Sequence, residues 1–177
     1  MNTILDSMKS RRSIRKYKSD MVPMDLIKKV VEAGLYAASG KGKQSQVIIT
    51  VTNQELREKI VKLNASIHNT PDFDTFYGAP VIMIVAASKK ANEATVTYDG
   101  SLSIGNMMLE AHELGLGSCW IHRAKQSMEH DLYKEIFKSV GLDATDFEGV
   151  GHVALGYIDG DEPKCPPRRE NRDFYIL

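Results

Sequence analysis

The sequence predicts one globular domain in which helices are combined with a buried β-sheet. Its 177 residues, 42% of them hydrophobic, suffice for a single domain with a sizeable core. Apolar runs typical of buried strands alternate with segments whose apolar residues recur at the helical period. Lys and Arg balance Asp and Glu at 23 each, so the chain projects no strong positive field. We therefore expect one domain over residues 1–177 and no nucleic-acid partner.

The N-terminal segments are predicted to run helix, strand, helix, strand. Ile4, Leu5 and Met8 recur at helical spacing, and "SIRKY" alternates like a strand. The basic residues between them should therefore lie at a helix-to-strand junction. A second helix begins near Pro23 and ends at the glycines of "SGKG". "QVIITVT" then has the composition of a buried strand.

The remaining elements continue this alternation. Thr52 and Glu55 have the spacing of a capping box before a third helix, and "APVIMIVAA" is predicted to be a buried strand. The segment 97–114 forms a long helix with apolar residues on more than one face, which indicates wide burial or a partner. "GSCWI" is predicted to be a strand, 128–139 an amphipathic helix and "GHVALGYI" the last core strand.

Several kinds of site are excluded by spacing. Cys119 and Cys165 are too far apart for a CxxC motif, and the five histidines form no HxxxH pair, so we expect no metal site and a reduced, cytoplasmic protein. No run approaches the roughly 20 apolar residues of a membrane span. "GLGSCW" is not a nucleophile elbow, "GVGHVALG" lacks the dinucleotide-binding spacing, and "GKGKQS" lacks the ending of a phosphate loop.

Basic side chains cluster near both ends of the chain: Arg11, Arg12, Arg15 and Lys16, and then Arg168, Arg169 and Arg172. Several guanidiniums together can satisfy the oxygens of a phosphate monoester. The two clusters could converge on one phosphate. They could equally be solvated charge runs beside Glu and Asp, and spacing alone leaves both interpretations open.

Five segments in register resemble the nitroreductase family of FMN flavoproteins: "RRSIRKY", "ASGKGKQ", "YDGSLSIGNMMLEAHELGLGSCWI", "GHVALGY" and "PPRR". The resemblance covers nearly the whole chain. It implies an α+β fold with a central, mostly antiparallel sheet flanked by helices. It also implies a homodimer with a swapped C-terminal arm and two FMN molecules in grooves at the interface.

The resemblance also implies roles for particular residues. Arg11, Arg168 and Arg169 would bind the FMN phosphate, and Arg12 and Ser13 would lie near the ribityl chain and flavin. Arg15 would lie by the flavin pyrimidine, unless it is a surface residue paired with Asp20.

Two further segments would border the flavin ring. Ser39 and Gln44 would reach its edge, and backbone N–H groups near His122 and Arg123 would point at N5. No side chain is assigned as catalytic, because the flavin carries the chemistry, although His122 is a candidate proton donor or pocket wall. Many relatives have Asn at the position of Gly42 and a Pro-aromatic pair at 45–46, so this flavin edge is expected to be more open.

The implied activity is NAD(P)H-dependent, ping-pong reduction of nitroaromatic compounds, quinones or similar small electron-poor acceptors through FMN. The alternative is an FMN-binding protein of the same fold without nicotinamide turnover, either a flavin carrier or a partner subunit.

Overall fold

One antiparallel sheet organises residues 3–176, the part of the chain that the computed structural model describes. Its strands are β1 (Gln46–Val51), β2 (Val81–Ser88), β3 (Gly117–Ile121) and β4 (Phe147–Gly156). They lie in the order β1-β2-β4-β3, and each neighbouring pair is antiparallel. The predicted α+β fold with a central antiparallel sheet is thereby confirmed.

Helices cover both faces of this sheet. They are α1 (Thr3–Ser10), α2 (Met24–Leu35), α3 (Gln54–Ile67), α4 (Lys89–Asn92), α5 (Val96–Glu113), α6 (Ala124–Ser127) and α7 (Asp131–Ser139). Apolar residues of α2 and α5 pack with Met83 and Val85 of β2, whereas those of α3 and α7 pack with Ile82 and Ile84. Because successive strand residues face opposite sides, β2 contributes to both layers of core. Residues 81–87 are fully buried, which is why the strand is a continuous apolar run in the sequence.

Three local predictions are wrong. "SIRKY" forms no strand: Ser13 makes one parallel bridge to Ser118, and Tyr17 one antiparallel bridge to Ile158. The α3 cap is Asn53, whose side chain accepts the Leu56 N–H at 2.9 Å; it replaces the predicted capping box.

The third correction concerns the amphipathic segment 128–139. Its helix starts only at Asp131, because Met128 ends the short helix α6 and the chain turns before α7 begins.

The long helix α5 is confirmed and is buried on one side only. Ile104, Met107 and Ala111 are fully buried against the sheet, while Leu102 keeps 50% of its surface exposed. Residues 160–176 are exposed and contain no helix or strand, and Leu177 lies outside the described residues. Within residues 3–176, no helix combines the length and apolar character needed to cross a bilayer.

Candidate cofactor-binding site

Arg11 presents a cationic donor that has no partner. It directly follows α1, where its backbone N–H donates to the Ser7 carbonyl at 2.9 Å. The Nη1 atom is buried and makes no hydrogen bond within residues 3–176. Burial lowers the pKa of this guanidinium, and the neighbouring Arg12 acts in the same direction. Because an unsatisfied buried cation is costly, Arg11 is suited to receive an anion.

The guanidinium of the next residue, Arg12, differs from that of Arg11 because it donates to backbone carbonyls. Its Nη2 donates to the Lys9 carbonyl at 2.7 Å, and its Nη1 donates to the Arg11 carbonyl. The Lys9 carbonyl belongs to the last turn of α1, where backbone acceptors lack helical partners. The Arg12 guanidinium therefore stabilises the end of α1, and Arg11 is the one that is left to bind a ligand.

The first basic cluster lies against the start of β3. Ser13 forms its bridge with Ser118, next to the buried Cys119. Burial raises the pKa of the Cys119 thiol, while Arg15, a hydrogen bond from Ser13, and Arg11 act in the opposite direction. Arg11, Ser13 and Arg15 thus all lie near enough to Cys119 to influence its thiol.

Arg15 lies near an aromatic ring and forms no ion pair within residues 3–176. Its guanidinium carbon lies 6.0 Å from the centroid of the Tyr77 ring, and its Nη1 lies 3.5 Å from the Ser13 carbonyl. Arg15 is exposed, as the alternative interpretation expected, but it makes no ion pair with Asp20 in the described part of the chain. Tyr77 has a φ of +58° and stacks edge-on with Phe73 at 5.6 Å. Strained backbone of this kind is common beside functional sites.

The loop at residues 39–45, predicted to border the flavin ring, is held together by hydrogen bonds to side chains. The Gln44 N–H donates to the Ser39 hydroxyl oxygen at 2.9 Å, and Gln44 has a φ of +48°. Asp99, in the first turn of α5, accepts the Gly40 N–H at 2.9 Å and the Ser45 hydroxyl at 2.5 Å. The Ser39 hydroxyl is therefore engaged within the loop, whereas the Gln44 side chain is exposed.

The segment between β3 and α6 carries backbone donors that have no protein acceptor. His122 is exposed, and Arg123 has a left-handed φ of +76°. Neither of their N–H groups donates to an acceptor within residues 3–176. Burial lowers the pKa of the Arg123 guanidinium, and the nearby Tyr77 acts in the opposite direction. Tyr77 thus neighbours both Arg15 and Arg123.

The second basic cluster is not brought to the first one within the chain. Arg168 and Arg169 lie in the exposed tail, and Arg168 Nη2 approaches the Cys165 thiol at 3.1 Å. Arg168 and Arg169 line one surface cleft, and Arg11 lines another. The tail passes the first cluster at Glu162, which lines a small cleft together with Arg11.

The sequence analysis missed three residues of this region: Asn64, Asp99 and Tyr77. Asn64 and Asp99 are 0% and 2% exposed. A signal for Asn64 was available, because it lies four residues after the buried Ile60 and therefore on the core side of α3. The partners of these residues in the candidate site, Arg123, Gly40 and Arg15, are distant in sequence, so no local pattern shows which groups they contact.

Comparisons with known proteins show the family of this chain. The model of the nitroreductase family matches residues 8–72 and 64–157. A Methanothermobacter thermautotrophicus protein named NADH dehydrogenase/NAD(P)H nitroreductase is 34% identical over 119 residues, which are 66% of this chain and 59% of that protein. A Bacillus subtilis FMN reductase [NAD(P)H] is 26% identical over 202 residues, covering 100% of this chain and 76% of the relative. The match thus spans less than two thirds of the first relative's length.

Among solved structures, the chain is similar to a Bacteroides fragilis nitroreductase crystallised with bound FMN. The TM-score is 0.88 at 25% identity, and each chain is covered completely.

Proposed function

Because this chain belongs to the nitroreductase family, we propose that it is a single-domain FMN-dependent oxidoreductase that uses NAD(P)H to reduce nitroaromatic compounds, quinones or similar electron-poor acceptors. The observation that carries the proposal is a set of donors that have no acceptor among the described residues 3–176. The set consists of the buried Arg11 Nη1 and the backbone N–H groups of His122 and Arg123. The named relatives include an NAD(P)H nitroreductase and an FMN reductase, in keeping with this activity.

The donor set fits FMN chemically. A phosphate monoester would supply the acceptor that Arg11 lacks, and Ser13 lies between Arg11 and Arg15 for the ribityl chain. Ser39 and Gln44 would border the ring through the loop held by Asp99. Arg12 would contribute indirectly by fixing the end of α1. Since Arg168 and Arg169 of the same chain line a different cleft from Arg11, we propose that Arg168 and Arg169 of a second copy complete the phosphate site.

When bound, FMN supplies hydride acceptance from NAD(P)H and two-electron transfer to an acceptor in the same pocket. The protein side chains position the reactants and set the electrostatics. Arg15 would place a fixed positive charge near the pyrimidine end, where the reduced cofactor is more negative. We assign no side chain as an essential acid or base, and the exposed His122 is a candidate proton donor or pocket wall.

A spectrum of the purified protein followed by anaerobic titration tests the proposed function. We expect flavin absorbance peaks that bleach on addition of NADH or NADPH and recover with a nitroaromatic or quinone. A flavin that stays oxidised with both nicotinamides would instead support the alternative, a flavin carrier or partner subunit. Protein that cannot be loaded with FMN would contradict both.

Arg15→Gln should lower the reduction potential of bound FMN. A loss of about 1.4 kcal/mol of differential stabilisation corresponds to a decrease of about 30 mV for a two-electron couple. Potentiometry of the FMN-loaded wild type and variant measures the difference, and Arg15→Lys, which retains the charge, is the control. An unchanged potential with FMN still bound would remove Arg15 from the flavin site.

We also propose a homodimer in which the C-terminal arm packs on the neighbouring subunit. Ile4 and Met8 of α1 are 67% and 53% exposed, and Phe174 in the tail is 82% exposed. Exposed apolar groups of this size are costly unless a partner covers them. Sedimentation should therefore give a dimer, and a variant that ends at Gly160 should dissociate more readily. A stable full-length monomer that retains FMN would contradict this proposal.

A further inference from the structure

Asn64 has a fully buried polar side chain on the face of α3 that packs against the core. Its exposure is 0%, and its helix neighbours Ile60 and Ala65 are 0% and 1% exposed. An amide in such a position destabilises the fold unless its donors and acceptor are satisfied. The hydrogen bonds of Asn64 therefore indicate what this residue holds in place.

Both hydrogen bonds of Asn64 go to the segment that joins β3 to α6. Its Nδ2 donates to the His122 carbonyl at 3.0 Å. Its Oδ1 accepts from Arg123 Nε at 3.4 Å. Asn64 thus links α3 to two consecutive residues that lie far from it in the sequence. Its side chain contacts the backbone of His122 and the side chain of Arg123.

Because the peptide bond is rigid, the contact between Asn64 and the His122 carbonyl also sets the direction of the Arg123 N–H. A trans peptide is planar, and its C=O and N–H point in opposite directions. Because the His122 carbonyl points towards Asn64, the Arg123 N–H points away from α3. That N–H has no acceptor within residues 3–176.

Arg123, the residue that follows this peptide, is held in a strained conformation. Arg123 has a φ of +76°, which costs a residue with a Cβ on the order of 1 kcal/mol or more. The Arg123 carbonyl accepts the Ser127 N–H at 3.0 Å and the Ser127 hydroxyl at 2.9 Å. Asn64 and Ser127, both fully buried, therefore fix the two carbonyls that flank the Arg123 N–H.

We propose that Asn64 is a positioning residue for the flavin, which directs the Arg123 N–H at the N5 atom of FMN. The inference rests on the proposed function, since it requires FMN in this site. Without Asn64 the His122 carbonyl loses this donor, so the peptide between His122 and Arg123 is held only from the Ser127 side and its N–H is less well directed. Asn64 itself does not touch the cofactor; it acts through the backbone.

Binding of FMN and of 5-deaza-FMN, in which a C–H group replaces N5, separates this role from a structural one. Asn64→Ala should weaken FMN binding about fivefold to tenfold, the range of one hydrogen bond, while 5-deaza-FMN binding changes less than about twofold. Asn64→Asp retains the size and the acceptor for Arg123 Nε but cannot donate to the His122 carbonyl. It should show the same selective loss.

Asn53→Ala is the matched control on the same helix. It removes the α3 cap, so it tests general destabilisation of α3 without a contact to the 122–123 segment. This variant should bind both flavins like the wild type.

The outcomes distinguish the inference from the function on which it rests. Equal weakening of both flavins by the two Asn64 variants, or no weakening of FMN, would overturn the role of Asn64 alone. Wild-type protein that binds neither flavin would overturn the proposed function, and the inference with it.

Discussion

Arg11→Ala is expected to weaken FMN binding by about 1.5–3 kcal/mol, or roughly 10- to 150-fold in Kd. The physical reason is the buried Nη1 atom, which has no protein acceptor and whose desolvation lowers the guanidinium pKa. An FMN phosphate placed there would form a charge-assisted hydrogen bond with a donor that is already desolvated. Fluorescence titration of the apoprotein with FMN measures the effect.

Riboflavin, which lacks the phosphate, gives the specific control for Arg11. Its affinity should be nearly the same in the wild type and in Arg11→Ala. The unliganded variant should be no less stable than the wild type, because the substitution removes an unpaired buried cation. Arg12→Ala should weaken FMN less and destabilise α1, since Arg12 bonds backbone carbonyls at the helix end. Nanomolar FMN binding by Arg11→Ala would show that the phosphate is bound elsewhere.

His152 should make the fold less stable in mild acid. Its ring is fully buried, its Nε2 lies 2.5 Å from the Tyr133 hydroxyl, and the Phe76 ring stands edge-on at 5.4 Å. Burial raises the pKa of Tyr133, so the phenol stays protonated and can donate to Nε2. Donation to Nε2 leaves the ring proton on Nδ1, which is buried and has no hydrogen-bond partner in the described structure.

Burial lowers the pKa of His152 to about 4. The adjacent backbone of Ile121 and His122 acts in the opposite direction, and the nearby charges of Arg123 and His122 lower the pKa further. The unfolded chain, with a histidine pKa near about 6.5, therefore binds the proton more readily. This contribution to stability is fully present above that value and is lost as the pH falls from about 6.5 through about 4. We expect the free energy of unfolding to drop by about 2 kcal/mol between pH 7.5 and pH 5.

Urea unfolding at the two pH values checks this expectation. His152→Gln, whose side chain stays neutral, should be less stable overall but should lose little of its stability between pH 7.5 and pH 5. Carboxylates with lowered pKa values, such as that of Glu148, lose their contribution mainly at lower pH, so they interfere little in this range. The same pH dependence in the wild type and variant would rule out His152 as the source.

The loop at residues 39–45, proposed to border the flavin, is held by its own hydrogen bonds, and the family resemblance implies that its sequence departs from the commoner pattern. Gly42 has a φ of +64°, a region that glycine and asparagine both adopt, so an Asn-to-Gly exchange removes a side chain without requiring a new backbone. Ser45, where many relatives have proline, donates to the buried Asp99. A hydrogen bond to Asp99 thus restrains this loop at Ser45.

The sequence by itself determined the elements whose signal is local. A continuous apolar run predicted β2, and apolar residues at helical spacing predicted the one-sided burial of α2, because burial dictates which residue types occur at each position. The motifs also indicated the family and the cluster at Arg11–Arg15. Local pattern failed at "SIRKY", where a strand requires a pairing partner along its whole length and the fold provides only single bridges.

Only the tertiary structure decided how the candidate site is assembled. Asn64 meets Arg123 and Asp99 meets Gly40 across 59 residues of sequence in each case, and no periodicity encodes such contacts. Residue type and spacing alone do not distinguish Arg11 from Arg12, and only the family resemblance implied different roles for them. The end of α1 occupies the Arg12 guanidinium and leaves Arg11 Nη1 buried without a partner. The physical reason is that hydrogen-bond satisfaction depends on which groups the fold brings within about 3 Å of one another, and residue type alone does not specify this.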